Sequence, residues 1–166
     1  TIALQSQINP HFIFNTLDSI YWLAVKLTNG SNEVSSIIAA FSYLLRISFS
    51  TQEYLIPIQM EVEHARKYVM IQKVRYRDKF DVVWEINEAM LGYKTVKIVL
   101  QPLIENAIYH GIKPKDGKGT IWIKCYEESE HIALEVSDDG VGMDEETKRA
   151  FNESMNKDYI KEDNHI

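Results

Sequence analysis

The sequence has 166 residues, the length of one ordinary domain or of a small element joined to a short domain. Hydrophobic residues make up 45% and charged residues 25%, which excludes a fully disordered chain and a fibrous repeat. Eighteen Lys and Arg against 24 Asp and Glu give a formal charge of −6, which argues against a nucleic-acid partner.

Cysteine usage and hydropathy indicate the compartment. The single cysteine, Cys125, excludes an internal disulfide framework and is typical of a reducing environment. No apolar run reaches the roughly 18 residues that span a bilayer. Because the sequence begins at Thr1 inside a helix-like pattern, we expect it to be a cytoplasmic piece of a longer protein.

Residues 1–56 have the periodicity of two helices. The apolar face of the first helix consists of Ile13, Leu17, Ile20 or Tyr21, and Ala24. We expect this helix to stop at residues 28–30, with Gly30 in the left-handed conformation that often follows a helix. Asn32 is the predicted N-cap of the second helix.

The second helix carries its own apolar stripe. The members of that stripe are Val34, Ile38, Phe41, Leu45 and Phe49. The short loop between the helices predicts antiparallel packing. Together the two helices have more apolar surface than one partner can cover, which predicts a four-helix bundle formed by dimerisation.

The second half of the chain mixes helical and alternating patterns, which predicts an α+β sandwich. In chain order the predicted elements are a helix from about Ile58 to Arg77, a strand at Phe80–Ile86, a helix at Val96–Ile112, and two antiparallel strands at Thr120–Tyr126 and His131–Val136 with a turn at 127–130. We place a domain boundary between residues 56 and 57. The polar segment from residue 144 onward is predicted to be a mobile loop or lid, or a region cut short.

The first stretch that could carry chemistry is residues 7–15, Q-I-N-P-H-F-I-F-N. Asn9 before Pro10 is suited to the start of a helix or to a kink, which leaves His11 accessible. A neutral imidazole near pH 7 can act as a nucleophile. The alternative is that His11 is an ordinary surface residue.

The second stretch is residues 101–111, Q-P-L-I-E-N-A-I-Y-H-G. Glu105 and Asn106 place two oxygen donors in an apolar helix, and such a pair is suited to Mg²⁺ that also binds phosphates. His110 follows one turn later. The alternative is a helix with a solvated polar stripe. The lysines that follow, Lys113, Lys115 and Lys118, are predicted to lie in a solvated turn, although their position leaves a phosphate role open.

The third stretch is residues 138–143, D-D-G-V-G-M, directly after a predicted strand. Two glycines allow the backbone to approach a ligand closely, and the preceding acid can accept a hydrogen bond from an amine. The alternative is an ordinary turn at the end of a strand.

The order and spacing of the three stretches resemble those of sensor histidine kinases of the LytS/YehU type. Residues 7–17 match the short phospho-acceptor box of that family, residues 101–111 its N box, and residues 138–143 its first glycine box. Because this family has a GHKL-type ATPase domain, the resemblance implies that an incomplete Bergerat-type α/β sandwich follows the dimeric helical hairpin.

The resemblance also implies a kinase reaction. His11 would receive the γ-phosphoryl group of ATP and pass it to an Asp of a response regulator, while Asn15 would orient water or the acceptor. Asn106 would ligate Mg²⁺, and Glu105 would hold a metal-bound water or act as a weak base.

The remaining matched residues would bind the nucleotide. The resemblance places His110 near the phosphates and Asp138 at the adenine amine. Gly140 and Gly142 would let the backbone close over the nucleotide, and Met143 would pack on the base.

The implied partners are a second copy of the chain and a response-regulator receiver domain. The implied location is the cytoplasmic side of a bacterial membrane, with the tether in an upstream segment.

Two departures from the general histidine kinase pattern leave questions open. Phe12 rather than an acid follows His11, as in this family, so the general base is unassigned apart from Glu105. The second glycine box and the final strands are not in the sequence, so we expect weak ATP binding by residues 1–166. The alternatives are a non-kinase GHKL ATPase, in which the N-terminal helices only dimerise, and a degenerate pseudokinase that scaffolds a regulator.

Overall fold

The structure is a computed structural model that describes residues 10–50, 54–77 and 79–142. A helical hairpin is followed by a mixed unit. The elements in chain order are α1 (Pro10–Thr28), α2 (Glu33–Phe49), β1 (Leu55–Pro57), α3 (Ile58–Arg75), β2 (Phe80–Ile86), β3 (Lys94–Val96), α4 (Leu100–Asn106), β4 (Gly119–Glu128) and β5 (His131–Asp138). Within these ranges no helix is both long enough and apolar enough to cross a bilayer. The predicted α+β class is confirmed.

The loop of the hairpin is fixed by Asn32, as predicted. Its side chain accepts a hydrogen bond from the Ser35 backbone N–H at 3.0 Å, and the Ser35 hydroxyl accepts one from the Asn32 N–H at 2.9 Å. The prediction for Gly30 is wrong, because Asn29 takes the left-handed conformation with φ 54°. Asparagine tolerates this conformation better than other residues with a side chain.

The hairpin buries few side chains in the single chain. Helix α1 has no buried residue, and its large apolar side chains Phe12, Trp22, Leu23 and Leu27 are exposed. The predicted stripe of α2 also faces outward at Val34, Phe41 and Phe49, while Ala40 and Leu44 are buried. The apolar surplus is therefore present on the surface of the hairpin.

The main sheet has the order β2-β4-β5, with β2 parallel and β5 antiparallel to the central β4. Alternation along β2 is as predicted, since Phe80 is buried and Asp81 is exposed. The acidic turn is shorter than expected. Glu127 and Glu128 continue β4, and the chain reverses at Ser129, which has φ 56°.

Helices α3 and α4 pack on one face of the sheet and form the core with it. Leu100 and Ile104 of α4 are fully buried against residues that include Phe80, Ile121 and Ile123. Burial of such side chains contributes roughly 1.5–3 kcal/mol each, so this core fixes α4 firmly relative to the sheet.

The predicted helix Val96–Ile112 is wrong at its beginning. Residues 94–96 form β3, which pairs antiparallel with β1, and α4 begins at Leu100. The helix then continues as a π-helix over Ala107–Ile112. A strand of three residues is too short to give an alternating pattern, so the sequence carries no signal for it. The boundary at residues 56 and 57 stays a prediction.

Candidate functional site

His11 lies in the first turn of α1 and is exposed. The helix begins at Pro10, whose missing N–H and fixed φ are compatible with a first helical position. The Asn15 side-chain nitrogen is 3.3 Å from His11 Nδ1, so the structure brings together two residues that the sequence pattern paired. Asn9 lies outside the described residues.

Aromatic and cationic contacts fix the N-terminal part of α1 against the end of α2. The rings of Phe14 and Phe49 meet edge to face with centroids 6.3 Å apart, and the Arg46 guanidinium lies 4.7 Å from the Phe14 ring centroid. His11 is therefore at the same end of the hairpin as the C-terminus of α2.

Lys97 links that end of the hairpin to the start of α4. Its ammonium donates hydrogen bonds to the carbonyl oxygens of Ser50 and, at 3.5 Å, Ile47. A cation is favourable at the C-terminus of a helix, where backbone carbonyls have no partner within the helix. The end of α2 and the approach to α4 are thus held together.

The start of α4 is fixed by a buried carboxylate. Glu61 of α3 is fully buried, and it accepts hydrogen bonds from the backbone N–H groups of Ile98, Val99 and Leu100 at 2.7, 2.8 and 2.8 Å. Ile98 has φ 61°, a conformation that costs about 1–3 kcal/mol for a residue with a side chain. The three bonds to Glu61 hold this strained turn, from which α4 runs to Asn106.

One continuous strip of α4 and the π-helix faces solvent. Its exposed members are Leu103, Glu105, Asn106, Tyr109, His110 and Lys113, whereas Ile104, Ala107, Ile108, Gly111 and Ile112 are buried. Glu105, Asn106 and His110 are thus all accessible to solvent, and their predicted roles at Mg²⁺ and the phosphates stay predictions. Burial, and secondly the charge of Glu105, raises the pKa of Tyr68 to about 12, so Glu105 lies near the α3 side of the strip.

The second and third sequence motifs meet at two glycines. Val141 N–H donates to the Gly111 carbonyl oxygen at 3.1 Å. A methyl group on Gly140 would overlap the backbone of Gly111, and one on Gly111 would overlap the Asp138 carboxylate. At position 140 only glycine permits this approach, because the overlap there is with backbone atoms. The Asp138 carboxylate is exposed at the junction and accepts a hydrogen bond from Gly140 N–H at 2.8 Å.

The two adjacent acids at the end of β5 face different partners. Asp139 Oδ1 accepts from Thr120 N–H at 2.7 Å and lies 2.9 Å from the Lys115 ammonium. The hydrogen bond from Thr120, and then Lys115, lowers the pKa of Asp139. Asp139 therefore holds the loop after the π-helix in place, while Asp138 stays exposed beside Gly111.

The two glycines of the third motif are suited to their positions for different reasons. Gly140 is needed for its close packing on Gly111, whereas Gly142 has φ 72° and, among the described residues, no atom within 4 Å of an added methyl group. The predicted role for Met143 falls outside the described residues.

The donors at the strip fit Mg²⁺ that is bound together with phosphates. Among the described residues no three His, Cys, Asp or Glu side chains gather into a group that could hold a metal ion. The Asn106 amide oxygen and the Glu105 carboxylate supply the one or two protein oxygens that Mg²⁺ takes in phosphate sites.

Sequence reasoning found the motif residues but missed two residues that position them, Glu61 and Lys97. A signal for Glu61 exists, since it is an acid on the buried face of α3 beside Val62 and Ala65. Its partners are backbone groups 37 to 39 residues away, which no local pattern identifies. Lys97 has no comparable signal.

Two family models match the chain. Residues 1–80 match the family described as histidine kinase, and residues 93–164 match the family of histidine kinase-, DNA gyrase B- and HSP90-like ATPases. The two matches cover both halves of the chain, in the order that the motifs indicate.

Several curated proteins are similar to most of the chain. Sensor histidine kinase YesM of Bacillus subtilis is 35% identical over 142 residues, which are 86% of this chain and 24% of YesM. Sensor histidine kinase YpdA of Escherichia coli is 34% identical over 86% of this chain and 25% of its own length. Sensor protein LytS of Oceanobacillus iheyensis is 29% identical over 93% of this chain and 27% of its own length. The chain spans about a quarter of the length of these relatives.

Proposed function

Because the chain belongs to the sensor histidine kinases, we propose that it is the core of a two-component kinase that phosphorylates His11 from ATP. The observation that carries the proposal is the contact of Gly111 with Gly140 and Val141. This contact puts the exposed Asp138 carboxylate beside the end of the exposed strip that carries Asn106, which supports one shared nucleotide site.

The nucleotide would lie across that junction. The Asp138 carboxylate would accept a hydrogen bond from the exocyclic amine of adenine. The phosphates would extend along the strip towards His110 and Asn106. Asn106 and Glu105 would hold Mg²⁺, which when bound neutralises charge on the phosphates.

His11 would act as the nucleophile. Its Nε2 would bond to the γ-phosphorus, the bond from that phosphorus to the β–γ bridging oxygen would break, and ADP would leave. Asn15 can turn its amide oxygen towards Nδ1, and this orientation would keep hydrogen on Nδ1 and the lone pair on Nε2. Glu105 is the candidate base for the proton that the imidazolium then releases.

Transfer requires the hairpin and the cleft to approach each other, so a signal would act by changing the population of the competent arrangement. The hydrogen bonds of Lys97 to the end of α2 connect the hairpin to the segment before α4. We propose a homodimer, because the exposed apolar faces of α1 and α2 are suited to a four-helix bundle. The phosphoryl group would pass to an Asp of a response-regulator receiver domain, and a segment outside residues 1–166 would provide a membrane tether.

Incubation with γ-labelled ATP and Mg²⁺ tests the proposal. We expect the full-length protein to acquire an acid-labile label. The label should be absent from His11→Ala. It should be present in the control variant His131→Ala, whose substitution lies at an exposed end of β5. Label that persists in His11→Ala would contradict the assignment. Release of phosphate without a labelled protein would instead indicate a non-kinase ATPase.

A further inference from the structure

The three lysines that follow His110 differ in what their ammonium groups contact. Lys115 is 2.9 Å from the Asp139 carboxylate and donates to the Asp139 carbonyl at 2.8 Å. Lys118 is 3.0 Å from the Asp81 carboxylate. For Lys113, no carboxylate oxygen of the described residues lies within 4.0 Å of the ammonium. Lys113 thus differs from the other two lysines, whose charges are paired in the fold.

The position of the Lys113 ammonium is fixed by an aromatic ring. Its Nζ lies 4.5 Å from the centroid of the Tyr109 ring, which is a cation–π contact. Tyr109 is one turn nearer the N-terminus, so the lysine side chain folds back along the helix. Both residues belong to the exposed strip, and the ammonium lies over the ring of Tyr109, a residue between Asn106 and Gly111 in the chain.

A nucleotide in the proposed site would extend past Tyr109. Its base would lie near Asp138 and Gly111, and its phosphates would reach Asn106. On the exposed strip Asn106 and Tyr109 are uncharged and Glu105 is acidic, so the Lys113 side chain is placed to supply a positive charge to the phosphates. An ammonium that already lies over a ring loses less side-chain entropy when it binds an anion.

We propose that Lys113 binds the polyphosphate of the nucleotide and that Tyr109 is the positioning residue that holds its ammonium in place. The inference rests on the proposed function, because it assumes a nucleotide in this cleft. Through this pair, the protein would bind nucleoside di- and triphosphates more tightly than the bare nucleoside. No bond forms or breaks in this step.

Calorimetric titration of the full-length protein with ADP and with adenosine, both with Mg²⁺, tests the proposal. For Lys113→Gln we expect about fivefold weaker ADP binding, the effect of one partly exposed charge pair, and unchanged adenosine binding. Tyr109→Leu should weaken ADP binding by a similar factor. Tyr109→Phe keeps the aromatic ring and should bind ADP with wild-type affinity. Lys118→Gln removes the same charge from the neighbouring loop and should leave both affinities unchanged.

Each contrary outcome has a definite meaning. ADP affinity of Lys113→Gln equal to that of the wild type would overturn the inference. An equal loss for adenosine, or an equal loss in Lys118→Gln, would also overturn it, because the effect would then be structural or due to net charge. A wild type that binds ADP but forms no phosphohistidine would contradict the proposed kinase function alone. A wild type that binds neither ligand would contradict both.

Discussion

The hairpin and the α/β half of the chain differ in how far they bury their apolar side chains. Helix α1 buries no side chain and leaves Phe12, Leu23 and Leu27 exposed. In the α/β half, by contrast, Leu100 and Ile104 are fully enclosed. Phosphoryl transfer depends on accurate placement of the donor, whereas the acceptor must be reachable. In the proposed kinase the well-packed α/β half would hold the nucleotide, and the exposed hairpin would present His11.

Gly140→Ala should have the largest effect, because the added methyl group would overlap the Gly111 backbone. Overpacking against backbone has no rotamer to relieve it, so we expect a loss of about 3 kcal/mol in the free energy of unfolding together with lost nucleotide binding. Urea denaturation and ADP titration measure the two effects. For the matched change in the hairpin, Gly30→Ala, no atom of residues 10–50, 54–77 or 79–142 lies within 4 Å of the new methyl group, so it should cost less than about 0.5 kcal/mol. Similar losses in the free energy of unfolding for both variants would show that the two halves do not differ in packing at these glycines.

Glu61→Gln should be next in size. The amide can accept fewer of the three backbone hydrogen bonds, and its NH₂ group would face donors, so we expect a loss of about 2–3 kcal/mol. Because the turn at Ile98 is strained, the start of α4 should loosen first, which faster amide exchange at residues 98–100 would show. Glu63→Gln, two residues later and exposed, is the control and should leave exchange unchanged. Unaltered exchange in Glu61→Gln would exclude a positioning role for this carboxylate.

His64→Leu should stabilise the protein. His64 is buried, and neither ring nitrogen has a hydrogen-bond partner among the described residues, so an apolar side chain of similar size should add about 1 kcal/mol to the free energy of unfolding. Burial lowers the pKa of His64, against an opposing effect of Glu61.

The same substitution predicts a pH dependence. The unfolded chain binds a proton at the ordinary histidine pKa near 6.5, above the lowered pKa of the folded state, so wild-type stability should decline as the pH falls below about 6.5. His64→Leu should show a smaller decline between pH 6.5 and 5. Identical slopes for the two proteins, measured by denaturation at each pH, would show that His64 is not the group responsible.

Leu23→Gln should affect the chain's own fold least. Its side chain is 60% exposed, so the free energy of unfolding of the single chain should change by less than about 0.5 kcal/mol. The proposed dimer should nevertheless weaken, by at least tenfold in sedimentation equilibrium, because each copy would lose a buried apolar side chain. Lys26→Gln on the same helix is the polar control. A dimer that is unaffected by Leu23→Gln would place the interface elsewhere.

Local sequence patterns predicted those parts of the fold that depend on neighbouring residues. The cap at Asn32 and the alternation of Phe80–Ile86 both follow from short-range chemistry. The packing of Gly140 on Gly111 depends on the parallel and antiparallel pairing of distant strands, which periodicity does not encode. The motif order nevertheless indicated that residues 101–111 and 138–143 belong together, and the contact of Gly140 with Gly111 agrees with that prediction.

The positioning contacts were beyond sequence reasoning for a related reason. Glu61 and Lys97 act on backbone groups of other elements, and backbone groups are the same at every position. The left-handed conformation at Ile98 is a comparable case, because a β-branched residue is a poor candidate for it on local grounds. Such a conformation exists only where the surrounding structure imposes it.

In the proposed reaction, ATP bound beside Asn106 donates its γ-phosphoryl group to His11 and leaves as ADP. The most direct test is a single-turnover reaction with Mg²⁺-ATP, followed by tandem mass spectrometry that locates the phosphoryl group, on the wild type and on Asn106→Ala. We predict phosphohistidine at position 11 in the wild type and at least a hundredfold slower formation in Asn106→Ala. A phosphoryl group on another residue, or an undiminished rate without the Asn106 amide, would contradict the account.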